Sequence, residues 1–231
     1  SRYRSDPLGR LSRTSLYVTE TTYGAMPEVD AAISAVRNAH IPVKGISGRA
    51  KPYSADDPEM AAWVHNVLTN SFLIAFQTYG PRSLTNIEAN KFVTEQSRIG
   101  GLLGAKPLPA SEVELSRWIV EHPDLAATEA QARAVEFLLD PPLPLPVKIG
   151  YRLVLGAAIA TLPAEIAHLL NINPRKRGIA NGRRVVNALR WALGSSPSWH
   201  LALVRAGAPV PPFRFSQPLP SSDKRSQNLI K

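Results

Sequence analysis

Apolar residues along the first 80 positions of the chain repeat at helical spacing, and residues typical of helix ends separate the repeats. Three helices are predicted there, each with a proline in its first turn: from Asp6-Pro7 to Gly24, from Pro27 to His40, and from Asp57-Pro58 to Tyr79. Proline is tolerated in the first turn because its missing N–H has no partner there. Gly24, Pro42 and Gly80 mark the ends of the three segments.

Capping patterns continue after the third helix. A serine or threonine precedes a Glu or Gln by three residues in three places: Thr85 with Glu88, Ser111 with Glu114, and Thr128 with Gln131. No convincing period-two alternation of apolar and polar residues occurs, so the pattern predicts an all-α fold.

A proline-rich segment interrupts the helical pattern between Asp140 and Val147. The hexapeptide PPLPLP at 141–146 favours an extended strap within a single helical domain over residues 1–208. Helices are expected to resume around residues 148–170 and 180–193. The apolar run 153–164 is too short to span a bilayer and predicts a buried helix. Residues 209–231 are rich in Pro, Ser and charge, which is typical of an irregular basic tail.

The chain of 231 residues contains no cysteine, which narrows the chemistry it can perform. Thiolate nucleophiles, iron-sulfur clusters, Cys-ligated zinc and heme attached or ligated through Cys are all excluded. Metal or redox chemistry must therefore depend on carboxylates, on a bound organic cofactor or on the five histidines, His40, His65, His122, His168 and His200.

The formal charge of +9 lies almost entirely in the last quarter of the sequence. Residues 1–170 carry 16 basic and 17 acidic side chains, whereas residues 171–231 carry 11 basic side chains and only Asp223. Six of these cations cluster: Arg175, Lys176, Arg177, Arg183, Arg184 and Arg190. They could bind phosphates or form a solvated helix face, and no helix-turn-helix or base-stacking platform accompanies them.

A polar stripe runs along the first helix. Arg10, Thr14, Tyr17 and Thr21 are spaced to lie on one face. Arg and Thr together can donate hydrogen bonds to an anion or to an oxygen atom, and the alternative is a stripe that faces solvent.

Two histidines fall on apolar faces of neighbouring helices. His40 follows the stripe of Val29, Ile33 and Val36, and His65 shares a face with Ala61, Leu68 and Phe72 by spacing. A half-buried neutral imidazole either satisfies its two nitrogens with protein partners or coordinates a metal, and both interpretations stay open. A shared interior site for the two histidines would fit this spacing.

Three segments together resemble the MpaB and rubber oxygenase (latex-clearing protein) catalytic domain family. They are SRYRSDPLGRLSRT at the start, AVRNAHIPVKG around His40 and DPEMAAWVHNVL around His65; LPAEIAHLLNI at 162–172 resembles a later part of the family. The resemblance covers most of residues 1–205. It implies a globin-like helical bundle that encloses a non-covalent heme b and activates dioxygen against a hydrophobic small molecule or polymer, such as an isoprenoid.

The resemblance also assigns roles to individual residues. The V-R-x-x-H segment of the rubber oxygenases, which carries the axial histidine, matches Val36, Arg37 and His40, so His40 is the expected iron ligand. The R-x-x-(K/R)-T motif of the distal heme face matches Arg10, Arg13 and Thr14. The W-V-H motif at His65 belongs to the broader family, which makes His65 a second candidate. Family members usually carry a further helix upstream of the SRYR segment.

Two other functional classes remain as alternatives. One is a non-catalytic helical protein whose basic C-terminal quarter contacts nucleic acid or an anionic membrane, and the other is a family member without heme. Specific nucleic-acid binding is not expected, whereas peripheral membrane contact is compatible with the charge. A bacterial cytoplasmic protein is the default expectation, with a signal upstream of Ser1 as the alternative.

Overall fold

The computed structural model describes residues 7–211 and confirms a mostly helical fold in that range. The helices are α1 (Pro7–Tyr23), α2 (Met26–His40), α3 (Pro58–Tyr79), α4 (Asn86–Leu102), α5 (Glu112–Val120), α6 (Glu129–Leu139), α7 (Leu145–Ile159), α8 (Ala164–Leu169), α9 (Gly178–Leu193) and α10 (Pro197–Arg205). Two short strands, β1 (Lys44–Ile46) and β2 (Pro52–Ser54), pair antiparallel. Most of the predicted tail and the predicted capping residue Asp6 lie outside the described residues.

The predicted ends of the first three helices are confirmed. The N-terminus of the third helix shows which local interactions made its start predictable. Asp57 adopts an extended backbone, and its carboxylate accepts a hydrogen bond from the Glu59 N–H at 2.8 Å. This cap satisfies one of the N–H groups that the first helical turn leaves without a partner. Pro58 follows in the first turn, and Gly80 ends the helix.

The three predicted capping boxes differ in how completely they form. Thr85 and Glu88 form the full reciprocal box at the start of α4. Ser111 accepts from the Glu114 N–H, but the Glu114 carboxylate accepts from the N–H of Ala110 instead of that of Ser111. Thr128 likewise accepts from the Gln131 N–H. All three residues nevertheless begin a helix, as the sequence predicts.

The described residues form two compact units. The first contains residues up to Ala39 together with residues from Ala188 onward, and the second contains His40–Asn187. The single domain expected over residues 1–208 stays a prediction.

In the first unit, α1 packs against α10. The rings of Tyr23 and Trp199 meet edge to face at 5.9 Å, and Arg205 donates to the Tyr23 carbonyl at 2.6 Å. Arg205 also lies 3.7 Å from the Glu28 carboxylate of α2. These contacts connect helices that are distant in the sequence.

In the second unit, the core lies where α3, α4 and α5 meet. Its buried apolar side chains are Leu73, Ala89, Val93, Leu115 and Ile119. Trp63 and Trp118 pack against this cluster from its edge. The tight α3–α4–α5 packing fixes one face of α3, and the residues on its other face are free to line a cavity.

Three expectations about local structure need correction. The β1–β2 hairpin was not predicted, because three residues per strand are too few to show alternation. Helix α7 begins at Leu145, so the last two residues of PPLPLP lie in its first turn, where proline is tolerated. The apolar run 153–164 is not a buried helix: α7 ends at Ile159, Leu153 is 54% exposed, and Pro163 immediately precedes α8.

Candidate functional site

The polar residues predicted on α1 lie on the exposed part of that helix. Arg10, Arg13 and Thr14 are all exposed, and the Thr14 hydroxyl donates to the Arg10 carbonyl at 3.1 Å. This bond within the helix holds the Thr14 side chain beside the turn that carries Arg10. The predicted side-by-side placement of Arg10 and Thr14 is therefore present, with the guanidinium facing solvent.

Tyr17, one turn further along the same stripe, has a different environment. Its hydroxyl oxygen is buried, and no hydrogen-bond partner for it occurs among residues 7–211. Burial raises the pKa of the Tyr17 phenol to about 12. A buried hydroxyl without a partner costs on the order of 1–3 kcal/mol, so such groups are rare and are frequently functional.

His40 is the last residue of α2, and its imidazole is exposed. The stripe before it behaves as predicted, since Val29 and Ile33 are buried. The half-buried setting expected for His40 is wrong, because the apolar contacts of the stripe stop one turn before the helix ends. The ring is accessible to a ligand from solvent.

His65 lies in the packed interface between α3 and α4 and is only 6% exposed. Its ring donates to the backbone carbonyl of Gln96, and Nε2 is 3.5 Å from the Thr69 hydroxyl. Burial lowers the pKa of the ring below 6.5, and the bond to Gln96 opposes that effect. His65 is therefore held neutral at physiological pH and has protein partners.

The face of α3 that carries His65 is more polar than its spacing predicted. Asn66, Thr69 and Asn70 are buried with it, whereas Phe72, which was expected on the His65 face, is 40% exposed. The Asn66 amide donates to the Pro107 carbonyl at 3.2 Å, which explains how one of these groups is satisfied. With His40 exposed and His65 enclosed, the structure does not place them in a shared interior site.

A cavity of about 1100 Å³ occupies the second unit beside α3. Its walls come from α3, the β1–β2 hairpin, the α5–α6 loop, α7 and α8. Apolar side chains predominate, among them Val67, Phe72, Ile166, Leu169 and Leu170. This volume is slightly larger than the volumes that small-molecule sites usually enclose.

Three aromatic rings meet at one wall of this cavity. Trp63 and His122 both line it, and their ring centroids are 4.7 Å apart; Trp118 lies 4.8 Å from His122 behind them. The His122 Nδ1 accepts from the Asp124 N–H at 3.2 Å. Sequence spacing does not reveal this cluster, because its members come from α3, α5 and the loop that follows α5.

Charged groups hold the hairpin against the α5–α6 loop at the cavity wall. The Asp124 carboxylate accepts from Arg49 at 2.9 Å and from Lys51 at 3.0 Å. The hydrogen bond and charge of Lys51, with the charges of Arg49 and His122, lower the pKa of Asp124. Asp124 thus connects two segments more than 70 residues apart in the sequence.

The remaining predicted groups do not assemble into a metal site. Among residues 7–211, no group of three or more His, Asp or Glu side chains could hold a metal ion. No helix in this part of the chain is long and apolar enough to cross a membrane.

Comparisons with known proteins give one match. A family model described as "ER-bound oxygenase mpaB/B'/Rubber oxygenase, catalytic domain" matches residues 1–191. No curated protein and no solved structure matches the chain. The matched range contains Arg10, Thr14, Tyr17, His40 and His65.

Proposed function

The chain belongs to the family of ER-bound oxygenase mpaB/B' and rubber oxygenase catalytic domains, and on this basis we propose that it is a heme b-dependent oxygenase that uses dioxygen on an apolar substrate. The observation that carries the proposal is the match over residues 1–191, which identifies an oxygenase catalytic domain and includes all the candidate residues. The resemblance noted in the sequence is thereby confirmed at the level of the family.

His40 is the proposed iron ligand. Its ring is exposed at the end of α2 and can accept a metal without displacing packed side chains. The apolar residues that follow it, Ile41, Val43 and Ile46, are also exposed, the last of them to 76%. A porphyrin bound through His40 would cover apolar surface of this kind, and a chain without cysteine offers no thiolate as a competing ligand.

Heme b, when bound, supplies the iron that activates dioxygen. The chain would hold it through the His40 imidazole, and the exposed apolar residues that follow His40 would cover part of its apolar surface. Arg10 and Thr14 supply hydrogen-bond donors from one turn of α1, suited to an oxygen atom or a propionate. Tyr17 adds a buried hydroxyl on the same stripe whose partner is missing among the described residues. Arg13 completes the matched motif and contributes a second positive charge.

The cavity of the second unit is the proposed substrate site. Its apolar walls suit a hydrophobic small molecule or one segment of a polymer, and the rings of Trp63 and His122 provide an aromatic wall against which such a molecule can pack. The chain's role in this site is to bind and orient the substrate and to keep water away.

His65 is the second candidate for the ligand, and its surroundings argue for a structural role. A metal at Nε2 would have to enter between α3 and α4, where Gly100 already lies against the ring. We therefore assign to His65 the positioning of α3 against α4.

The test is an absorption spectrum of the purified full chain after heme supplementation. A Soret band is expected, and His40→Ala should abolish it while the far-ultraviolet circular dichroism stays unchanged. His168→Ala is the matched control, since His168 is also an exposed helical histidine. A colourless wild-type protein, or an unchanged Soret band in His40→Ala, would overturn the proposal; loss of the band only in His65→Ala would move the ligand to α3.

A second measurement concerns α1. Arg10→Ala and Thr14→Ala should retain heme and lose dioxygen consumption with an apolar substrate, by on the order of 10²-fold if each donates one critical hydrogen bond. Both side chains are exposed, so neither change should alter the thermal unfolding midpoint. Unfolding of either variant would show that the stripe is structural.

A further inference from the structure

Five basic side chains in the second unit form an exposed surface between α8 and the middle of α9. They are Arg175, Lys176, Arg177, Arg183 and Arg184, and we refer to them as the basic surface. No Asp or Glu occurs anywhere between residues 171 and 211. The surface therefore carries a local positive charge that its own segment does not compensate.

The rest of the described second unit does not compensate it either. The ion pairs of residues 7–211 use other cations, such as Arg49, Lys51, Arg82 and Lys148, and none involves the basic surface. Its two bonded members use neutral partners: Arg183 Nε donates to the Thr78 carbonyl at 3.1 Å, and Arg184 donates to Asn181. The charges are thus available to an external anion.

The basic surface is attached directly to the wall of the cavity. Gly178 lies against Ala160, since a Cβ on the glycine would come within 2.7 Å of the Ala160 Cβ. Gly182 lies against Tyr79 in the same way, since a Cβ on this glycine would come within 2.6 Å of the Tyr79 hydroxyl oxygen. Tyr79 lines the cavity, and so does Val186 of α9. The cations therefore border the cavity that we propose as the substrate site, and the inference rests on that proposal to this extent.

We propose that the basic surface docks the protein on the anionic headgroups of a lipid bilayer. Opposite charge supplies the attraction, at a strength that rises with each Lys or Arg near the membrane. Exposed apolar side chains also suit a bilayer interface. Phe72 and Val154 are exposed and line the cavity, and Ile179 is exposed among the cations.

Nucleic acid, like a lipid headgroup, offers phosphates, but the basic surface is less suited to nucleic acid than to a bilayer. Single-stranded nucleic acids are usually held on aromatic side chains that stack with bases, and residues 171–190 contain no Phe, Tyr or Trp. A bilayer requires no such stacking. Docking would also bring the cavity, which adjoins the basic surface, close to the apolar molecules that concentrate in a bilayer.

The test is cosedimentation of the full chain with vesicles of phosphatidylcholine alone or of phosphatidylcholine mixed with phosphatidylglycerol. Binding is expected only to the mixed vesicles and should decrease at high salt, which screens exposed charges. Replacing Arg175, Lys176 and Arg177 together by Gln should reduce the partition coefficient by on the order of a hundredfold. The measurement requires neither heme nor turnover, so its failure is distinguishable from failure of the proposed oxygenase function.

A charge-matched control uses three exposed cations of α4 and α5. The triple change Lys91→Gln, Arg98→Gln and Arg117→Gln removes the same net charge and should leave binding nearly unchanged. Equal losses in both triple variants would show a non-specific effect of net charge and overturn the docking surface. Binding to a single-stranded oligonucleotide that depends on Arg175–Arg177, with no binding to mixed vesicles, would assign the surface to nucleic acid instead.

Discussion

The ring of His65 lies against Gly100 of α4 at a distance that only glycine allows. A Cβ at position 100 would come within 2.7 Å of His65 Cδ2 and 2.9 Å of Nε2, and within 2.7 Å of Leu108. These distances are shorter than van der Waals contact. The close approach of α3 and α4 therefore depends on glycine at position 100 as well as on the His65 ring.

Replacing Gly100 by alanine is expected to destabilise the fold. The added methyl group has no space, and overpacking of this kind costs about 1–3 kcal/mol. The matched control is Gly101→Ala in the same helical turn, where no atom lies within 4 Å of the added Cβ. That variant should be neutral or more stable, because alanine is the better helix former. Urea unfolding of both variants measures the difference, and equal stabilities would contradict the tight contact.

Helix boundaries were predictable because capping is a local property. Asp57 with Pro58, and Thr85 with Glu88, specify helix starts through hydrogen bonds within four residues, and those starts are observed. The burial of His65 was not predictable in the same way, since it depends on where α4 approaches α3. Spacing alone placed His65 with apolar Phe72, whereas the packed face contains Asn66 and Thr69.

In the candidate site too, features within one helix were predictable, whereas features that depend on the tertiary fold were not. Arg10 and Thr14 share a turn as their spacing predicted, because both belong to one helix. The cavity wall formed by Trp63 and His122 was missed, since these residues are 59 positions apart and meet only through the tertiary fold. The exposure of His40 and the missing partner of the Tyr17 hydroxyl likewise depend on neighbours that spacing does not specify.

Removing the buried hydroxyl of Tyr79 and removing that of Tyr17 should have different effects on the free energy of unfolding. Tyr79 donates at 2.8 Å to the Ala157 carbonyl near the end of α7, where carbonyls lack partners within the helix. Tyr79→Phe should therefore lower the free energy of unfolding by about 0.5–1.5 kcal/mol. Tyr17→Phe removes a hydroxyl without a partner among residues 7–211 and should leave stability unchanged or raise it by up to about 1 kcal/mol.

Thermal and urea unfolding of both Phe variants separate these cases. A loss of stability in Tyr17→Phe comparable to that in Tyr79→Phe would mean that the Tyr17 hydroxyl has a stabilising partner. The same Tyr17→Phe protein also reports on the proposed site, because a shifted heme spectrum with unchanged stability would place the hydroxyl near the cofactor.

Glu88 should contribute to stability at neutral pH and lose that contribution in acid. Hydrogen bonds from the Arg82 guanidinium, and from the backbone and hydroxyl of Thr85, lower its pKa from 4.5 to about 2. The unfolded chain therefore binds more protons than the folded chain between these values, and stability falls as the pH decreases from 4.5 to 2. Glu88→Gln should flatten this part of the profile of unfolding free energy against pH.

The control for the acid profile is Glu95→Gln on the same helix. Glu95 lies 3.9 Å from Lys91 and caps no helix, so this variant should keep the slope of the wild type. If Glu88→Gln retained the full acid dependence, the capping box at Thr85 would not be the origin of the effect.

Asp124 should hold the β1–β2 hairpin closed against the α5–α6 loop. Exposed ion pairs are individually weak, so losing the pairs to Arg49 and Lys51 together should increase local opening several-fold without unfolding the protein. Limited trypsin digestion measures this, since the Arg49–Ala50 bond lies in the hairpin turn. Asp124→Asn should accelerate cleavage there, whereas Glu129→Gln, which removes only the pair to Arg133 within α6, should not. Unchanged cleavage in Asp124→Asn would mean that the cavity wall is held by apolar packing alone.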